Sequence, residues 1–234
     1  MRANRPTTNT PTHTDSPALR VAFCFAYNQS RMLLTIHIPE SQQRVHLPPG
    51  TLDWSEDEFF RFCEANRDLR IERAADGEVV VMSPAGGYSG YRGMQVTRQL
   101  GAWAETDKTG VAFDSSTGFR LSTGAMRSPD AAWVRLSRLQ ELTHREKEQF
   151  IPLCPDFVIE VASPSDAIST LREKMREYVQ TGLRLGWLIL PASKQVEVYM
   201  PSDVRVLESS DTLSGDPVLP GFTLQLALIW KPPF

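Results

Sequence analysis

Residues 155–166, PDFVIEVASPSD, decide how this chain is read. Phe157, Val158, Ile159, Val161 and Ala162 are apolar and mostly β-branched, the composition of a strand covered on both faces. Glu160 interrupts that run at a place where an uncompensated charge is costly. A buried ion pair, a strand end that reaches water, or a catalytic or metal-binding role would each make the carboxylate tolerable. Period two puts Asp156, Val158, Glu160 and Ala162 on one face of the strand and Phe157, Ile159 and Val161 on the other.

Working outward, Asp130 opens a second strand, DAAWV, thirty residues upstream and directly after Ser128-Pro129. If the two strands are neighbours, Asp130 and Glu160 converge near one sheet edge. Two carboxylates without histidine or cysteine nearby form the oxygen-rich environment that Mg²⁺ or Mn²⁺ prefers. Downstream, Leu171, Met175, Tyr178 and Val179 form the apolar stripe of a helix of about three turns that Gly182 stops, and Thr170 to Glu173 matches a capping box at its start. Lys174 lies beside Tyr178 at one edge of that stripe, with a stem long enough to carry its ammonium over the core to the sheet. Arg172 flanks the other edge equally well, so spacing alone does not separate Lys174 from a solvated surface lysine.

The remaining elements surround this centre. Ser55 to Glu58 is a capping box opening a helix that ends near Asn66, with Phe59, Phe60, Phe62 and Cys63 as its buried side. LRIERAADGEVVVMSP reads as two strands joined by a turn at Asp76-Gly77. The glycine-rich GGYSGYRG at 86–93 reads as an entry loop without phosphate-loop spacing, followed by a helix with Val96, Leu100, Trp103 and Ala104 on one face. VAFDSSTGFRL is one bent or two short strands, a polar helical stretch covers Glu141 to Gln149, and LGWLIL, KQVEVYM and DVRVLES are further strands before PVLPGFTLQL closes the chain. Helices and strands mix without strict alternation, so the fold class is α/β, a mixed sheet with flanking helices.

The 234 residues are 41% hydrophobic and 23% charged, enough for one well-cored domain. Residues 1–31 are rich in Thr, Pro and Asn without apolar periodicity and are read as a disordered or non-native extension, Met32 being an alternative start; residues 32–234 are read as the single domain. No apolar stretch is long enough to span a membrane. Three cysteines without CxxC spacing argue against a disulfide framework and a zinc site and suit a reducing cytoplasm. The formal charge of −3 excludes a global basic field, so any nucleic-acid contact must come from a local patch or through bound metal.

SPDAAWV at 128–134, PDFVIEVASPSD at 155–166 and LREKMREYVQTGLRLGWLIL at 171–190, preceded by DGEVVVMSP at 76–84 and followed by LSGDPVLPGF at 213–222, together resemble the Uma-two family of restriction-endonuclease domains in the PD-(D/E)XK nuclease superfamily. The likeness runs from about residue 45 to the C-terminus. It implies a restriction-endonuclease-like fold and a metal-dependent endonuclease that hydrolyses DNA phosphodiester bonds. Asp130 and Glu160 would be catalytic and hold Mg²⁺ or Mn²⁺, Glu72 could supply another ligand or be a plain hairpin charge, and Lys174 would take the catalytic lysine's place from the helix, since position 162, two residues after Glu160, is alanine. Arg120 and Arg127, with Arg92 and Arg98, could contact the DNA backbone, and cutting both strands of a duplex suggests a homodimer. A catalytically idle nucleic-acid-binding or interaction module with the same fold is the alternative, and hydrolysis of another phosphate ester is a third reading.

Overall fold

The computed structural model describes residues 21–24, 33–36, 44–51 and 54–234. The expectations for the N-terminal extension and for a start at Met32 fall largely outside these residues. In chain order the elements are β1 (Val21–Cys24), β2 (Leu33–Ile36), β3 (Arg44–Leu47), α1 (Glu56–Ala65), β4 (Arg70–Arg73), β5 (Val79–Met82), α2 (Gly87–Asp107), β6 (Gly110–Asp114), β7 (Phe119–Arg120), β8 (Met126–Arg127), β9 (Ala131–Arg135), α3 (Leu136–Gln140), α4 (His144–Glu148), β10 (Phe157–Val161), α5 (Ile168–Gln180), β11 (Leu185–Leu190), β12 (Gln195–Met200), β13 (Asp203–Glu208), β14 (Thr212–Ser214), β15 (Thr223–Gln225) and α6 (Ala227–Trp230). The architecture is mixed α/β.

The principal sheet has six strands in the order β13-β12-β11-β10-β9-β6. Its one parallel pair is β10 with β11, and α5 is the crossover that parallel neighbours require. Every other pairing in it is antiparallel, including β10 with β9. The alternation expected for β10 holds: Phe157, Ile159 and Val161 pack on the face covered by α2 residues Val96 and Leu100, and Val158 and Ala162 pack on the face covered by α5 residues Leu171, Met175 and Tyr178. Gly186 of β11 leaves the space that the Met175 side chain of α5 fills, because a Cβ there would lie 2.5 Å from the Met175 methyl.

A second sheet of five strands, β3-β5-β4-β8-β7, packs with α1 around Phe59, Phe62, Val79 and Val81. The capping box at Ser55 and Glu58 is formed, and α1 ends at Ala65 with Asn66 as its C-cap. The hairpin of β4 and β5 turns at Gly77, whose φ of +91° is the left-handed conformation glycine tolerates.

Two local expectations are corrected. The helix after β10 starts at Ile168 with Ala167 as N-cap and no side-chain cap bond, so Thr170 and Glu173 lie inside it rather than forming a capping box. The glycine-rich run is not a loop either: Gly87 to Gly93 are the first turns of α2. Tertiary anchoring overrides glycine's poor helix propensity here, since Tyr88 stacks on Phe234 at 5.2 Å and Arg92 donates from Nε to the Ile229 carbonyl at 3.0 Å.

Candidate active site

The register of β10 against β9 runs Phe157↔Trp133, Val158↔Ala132, Ile159↔Ala131, so the next step sets Glu160 opposite Asp130. Directly opposed residues of an antiparallel pair share a face, and both acids therefore belong to the α5 side of the sheet. The Asp130 carboxylate is tied to β10 itself, since its Oδ2 accepts the Val161 backbone N–H at 2.8 Å.

Glu160 is 3% exposed, and its compensation is an ion pair. Lys174 reaches from α5 to place Nζ 2.7 Å from Glu160 Oε1, and the Tyr178 hydroxyl donates to the same oxygen at 3.2 Å. The same ammonium lies 2.9 Å from Oε1 of Glu72, which β4 brings in from the second sheet. Lys174 is thus a buried bridge between the two sheets. Glu72 Oε1 also accepts the Ser128 backbone N–H at 3.1 Å, and its Oε2 lies 3.6 Å from Arg127 Nη1. Arg127 in turn donates from Nε to Glu177 at 2.7 Å.

The two glutamates share one lysine but not one electrostatic setting. Burial alone would raise the Glu72 carboxyl, yet Lys174, Arg70 and Arg127 outweigh it and hold it well below the usual carboxylate range. Burial raises the Glu160 carboxyl, the neighbouring Asp130 and Glu72 charges add to that, and Lys174 and Arg70 only partly offset them, so it stays above the usual range. Burial likewise pushes the Tyr178 phenol well above its ordinary value, which keeps it a neutral donor to Glu160.

Arg70, absent from the sequence reading, completes the group. Its Nη1 is 2.8 Å from Asp130 Oδ1 and its Nη2 donates to the Ser128 carbonyl. Alternation along β4 places Arg70 and Glu72 on one face of that strand, and this two-residue spacing was the available signal. Glu72, Asp130, Glu160, Lys174, Arg70 and Arg127 all line one cleft of about 1450 Å³, which Gly90, Gly93, Thr97 and Arg98 of α2 also line.

The donor chemistry fits a hard divalent cation: Asp130 and Glu160 offer oxygens only, on one face, at a cleft that can supply water and substrate oxygens for the rest of the shell. Among the described residues no three His, Cys, Asp or Glu side chains gather closely enough to hold a metal by themselves. Glu72 does not join the two acids in such a group, and its oxygens serve Lys174, Ser128 and Arg127 instead. Two of the four arginines expected along a nucleic-acid path line the cleft, Arg98 and Arg127, and both are already engaged within the chain. Arg120 instead pairs with Glu56 at the start of α1, and Arg92 is anchored to the Ile229 carbonyl. Arg172 is not a free flanking charge; it clasps the buried Glu197 through Nε at 2.9 Å and Nη2 at 2.5 Å. Among the described residues no helix is long and apolar enough to cross a membrane.

The Uma2 family, described as "Putative restriction endonuclease", matches residues 56–227 of this chain. Among solved structures, the crystal structure of a putative nuclease belonging to DUF820 from Anabaena variabilis ATCC 29413 is similar at 18% identity and a TM-score of 0.57, covering 68% of this chain and 89% of that one. At that identity the likeness carries the fold, which is restriction-endonuclease-like. No curated protein matches the chain.

Proposed function

The chain belongs to the Uma2 family, whose function is nuclease-like, and from that premise we propose that it is a metal-dependent endonuclease hydrolysing DNA phosphodiester bonds. The observation that supports this most directly is the opposition of Asp130 and Glu160 across β9 and β10 with Lys174 Nζ 2.7 Å from Glu160, in the wall of an open cleft. In this reading Asp130 and Glu160 hold Mg²⁺ or Mn²⁺. The metal supplies Lewis-acid stabilisation of phosphate charge and a more acidic water. Lys174, fixed from below by Glu72, keeps an ammonium beside the metal ligands, where it orients the attacking water or balances charge on the phosphorane-like transition state. Tyr178 holds the Glu160 carboxylate in place. Arg127 is a wall of the site that Glu72 and Glu177 immobilise, and Arg98 is the residue on α2 best placed to meet the phosphate backbone.

The test is incubation of purified protein with supercoiled, linear and single-stranded DNA in Mg²⁺ or Mn²⁺. Cleavage should vanish in EDTA and in Asp130→Ala and Glu160→Ala, with both variants still folded by circular dichroism. Equal cleavage by wild type and both variants would assign the activity to a contaminant. A second reading, an idle binding module, draws on Arg70 already occupying Asp130; DNA binding without cleavage in any divalent metal would favour it. Cutting both strands with one site per chain calls for a symmetric homodimer, twice the 26.3 kDa chain mass by light scattering, and a monomer would point to nicking or single-strand cleavage.

A further inference from the structure

Both oxygens of Asp130 are spoken for inside the chain: Oδ2 by the Val161 N–H at 2.8 Å, and Oδ1 by Arg70 Nη1 at 2.8 Å. The bond from the Val161 backbone ties the carboxylate to β10 and leaves a lone pair free on Oδ2. The guanidinium is different in kind, because it puts a full positive charge against Oδ1 of a residue that lines the cleft. A divalent cation bound to Asp130 would meet that charge at ion-pair distance, where like charges repel strongly even at protein-surface screening. The two cations therefore compete for Asp130.

Arg70 is built so that it can yield. It comes from β4 of the second sheet, whereas Asp130 precedes β9 of the principal sheet, so moving its side chain breaks no backbone pairing around the acids and gives up, besides Asp130, the Nη2 bond to the Ser128 carbonyl. Its Nε is buried without a hydrogen-bond partner, so the Asp130-bound position leaves one donor unused. Its other carboxylate neighbour, Glu72, is 3.7 Å away and already held by Lys174 and Ser128. The charge count around the cleft adds a second constraint. With every group ionised, the four carboxylates Glu72, Asp130, Glu160 and Glu177 face the three cations Arg70, Arg127 and Lys174, leaving one negative charge. One divalent cation turns that into one positive charge, and one phosphodiester restores balance.

We propose that Arg70 is the resident counter-cation of Asp130, that one divalent metal displaces it, and that the freed guanidinium then holds a non-bridging oxygen of the substrate phosphate. The site consequently takes metal weakly without nucleic acid and firmly with it. This rests on the reading above that Asp130 is a metal ligand, and it adds a positioning role for a residue outside the acid pair and the lysine.

The test measures metal binding, not cleavage. Mn²⁺ titrated calorimetrically into the full chain without nucleic acid should bind Arg70→Met about tenfold or more tightly than wild type, because the competing charge is gone. A cleavage-resistant oligonucleotide should tighten Mn²⁺ binding in wild type and much less in Arg70→Met. In ¹⁵N-labelled wild type, the Arg70 Nε–Hε resonance should move in step with Mg²⁺ saturation, and this measurement decides the matter if Arg70→Met does not fold. Equal Mn²⁺ affinity in the two proteins, or an Arg70 resonance that stays put while Mg²⁺ binds, overturns the displacement and leaves the nuclease reading intact. Absence of Mn²⁺ and Mg²⁺ binding in every protein, with or without oligonucleotide, overturns both.

Discussion

Replacing Lys174 by Met tests the arrangement at its centre. Lys174 is 9% exposed, and its ammonium lies within 2.9 Å of the carboxylates of Glu72 and Glu160, residues each less than 5% exposed. Removing one partner from a buried ion pair generally costs about 3 to 5 kcal/mol, a large share of the roughly 5 to 15 kcal/mol by which a domain is stable. The loss should not be shared equally between the glutamates. Glu72 keeps Arg70, Arg127 and the Ser128 N–H, whereas Glu160 keeps only the Tyr178 hydroxyl at close range. In equilibrium urea unfolding with EDTA present, Lys174→Met should therefore lose about 3 kcal/mol or more. Lys174→Met with Glu160→Gln should regain most of that loss, while Lys174→Met with Glu72→Gln should regain little, the comparison a double-mutant cycle makes possible. At a temperature where the variant is folded, cleavage should fall by about 10² to 10³, the loss typical of one transition-state donor. A Lys174→Met protein within about 1 kcal/mol of wild type, or equal recovery by the two double variants, would refute the bridge as described.

Two further perturbations probe how α5 is held against the sheet. Gly186→Ala puts a methyl 2.5 Å from the Met175 Cε and 2.7 Å from the Leu183 Cδ2, so these buried side chains must repack between α5 and β11, and thermal unfolding should show a loss of about 1 to 3 kcal/mol. Arg172→Met should lower the melting temperature by stranding Glu197. Burial raises that carboxyl, but hydrogen bonds from Arg172 and Tyr199 and the Arg172 charge outweigh it and hold it below its ordinary value. A carboxyl lowered by folding contributes stability that is complete above its unfolded value, about 4.3, and is lost as the pH falls through the folded value. The gap between wild-type and Arg172→Met melting temperatures should thus be steady from pH 7 to 6 and close below about pH 4.3; a gap that widens on acidification would contradict the pairing.

What the sequence made legible was what depends on local pattern. The alternation of β10 put Glu160 on the face with Val158, and the capping box at Ser55 and the glycine turn at Gly77 settled the elements that deliver Glu72. The pairing of β9 with β10 could only be posed as a condition, because register is a long-range property, yet once met it brought Asp130 opposite Glu160. The choice between Lys174 and Arg172 was closed to sequence for a definite reason: both flank the same stripe at similar angles, and what separates them is the strand each one overhangs. Lys174 overhangs two buried acids of the cleft, and Arg172 overhangs Glu197 on β12. The glycines of α2 misled because helix propensity is a weak prior that contacts with Ile229 and Phe234 override.

Arg70 was missed because an exposed hairpin charge and a buried counter-ion look alike until the second sheet is docked on the first. That docking also explains how one chain tolerates so much buried charge. The principal sheet alone would present Glu160 and Asp130 uncompensated, and the cations that face them come from α5 and from β4 of the second sheet, whereas Glu72 already has Arg70 and Arg127 on its own sheet. Lys174 joins the acids of both sheets, and Arg70 leaves β4 for Asp130. The contact between the sheets is therefore inseparable from the candidate site, and the charge that joins them is the charge the proposed chemistry would use. Substitutions that neutralise an acid should consequently loosen the packing of β4 against β9 as well as reduce cleavage. Hydrogen exchange of the Ser128 and Val161 amides, each donated to one of these carboxylates, reports that loosening directly: faster exchange at Ser128 in Glu72→Gln and at Val161 in Asp130→Asn is the expected result, and unchanged protection at both would show that the sheets hold together by apolar contact alone.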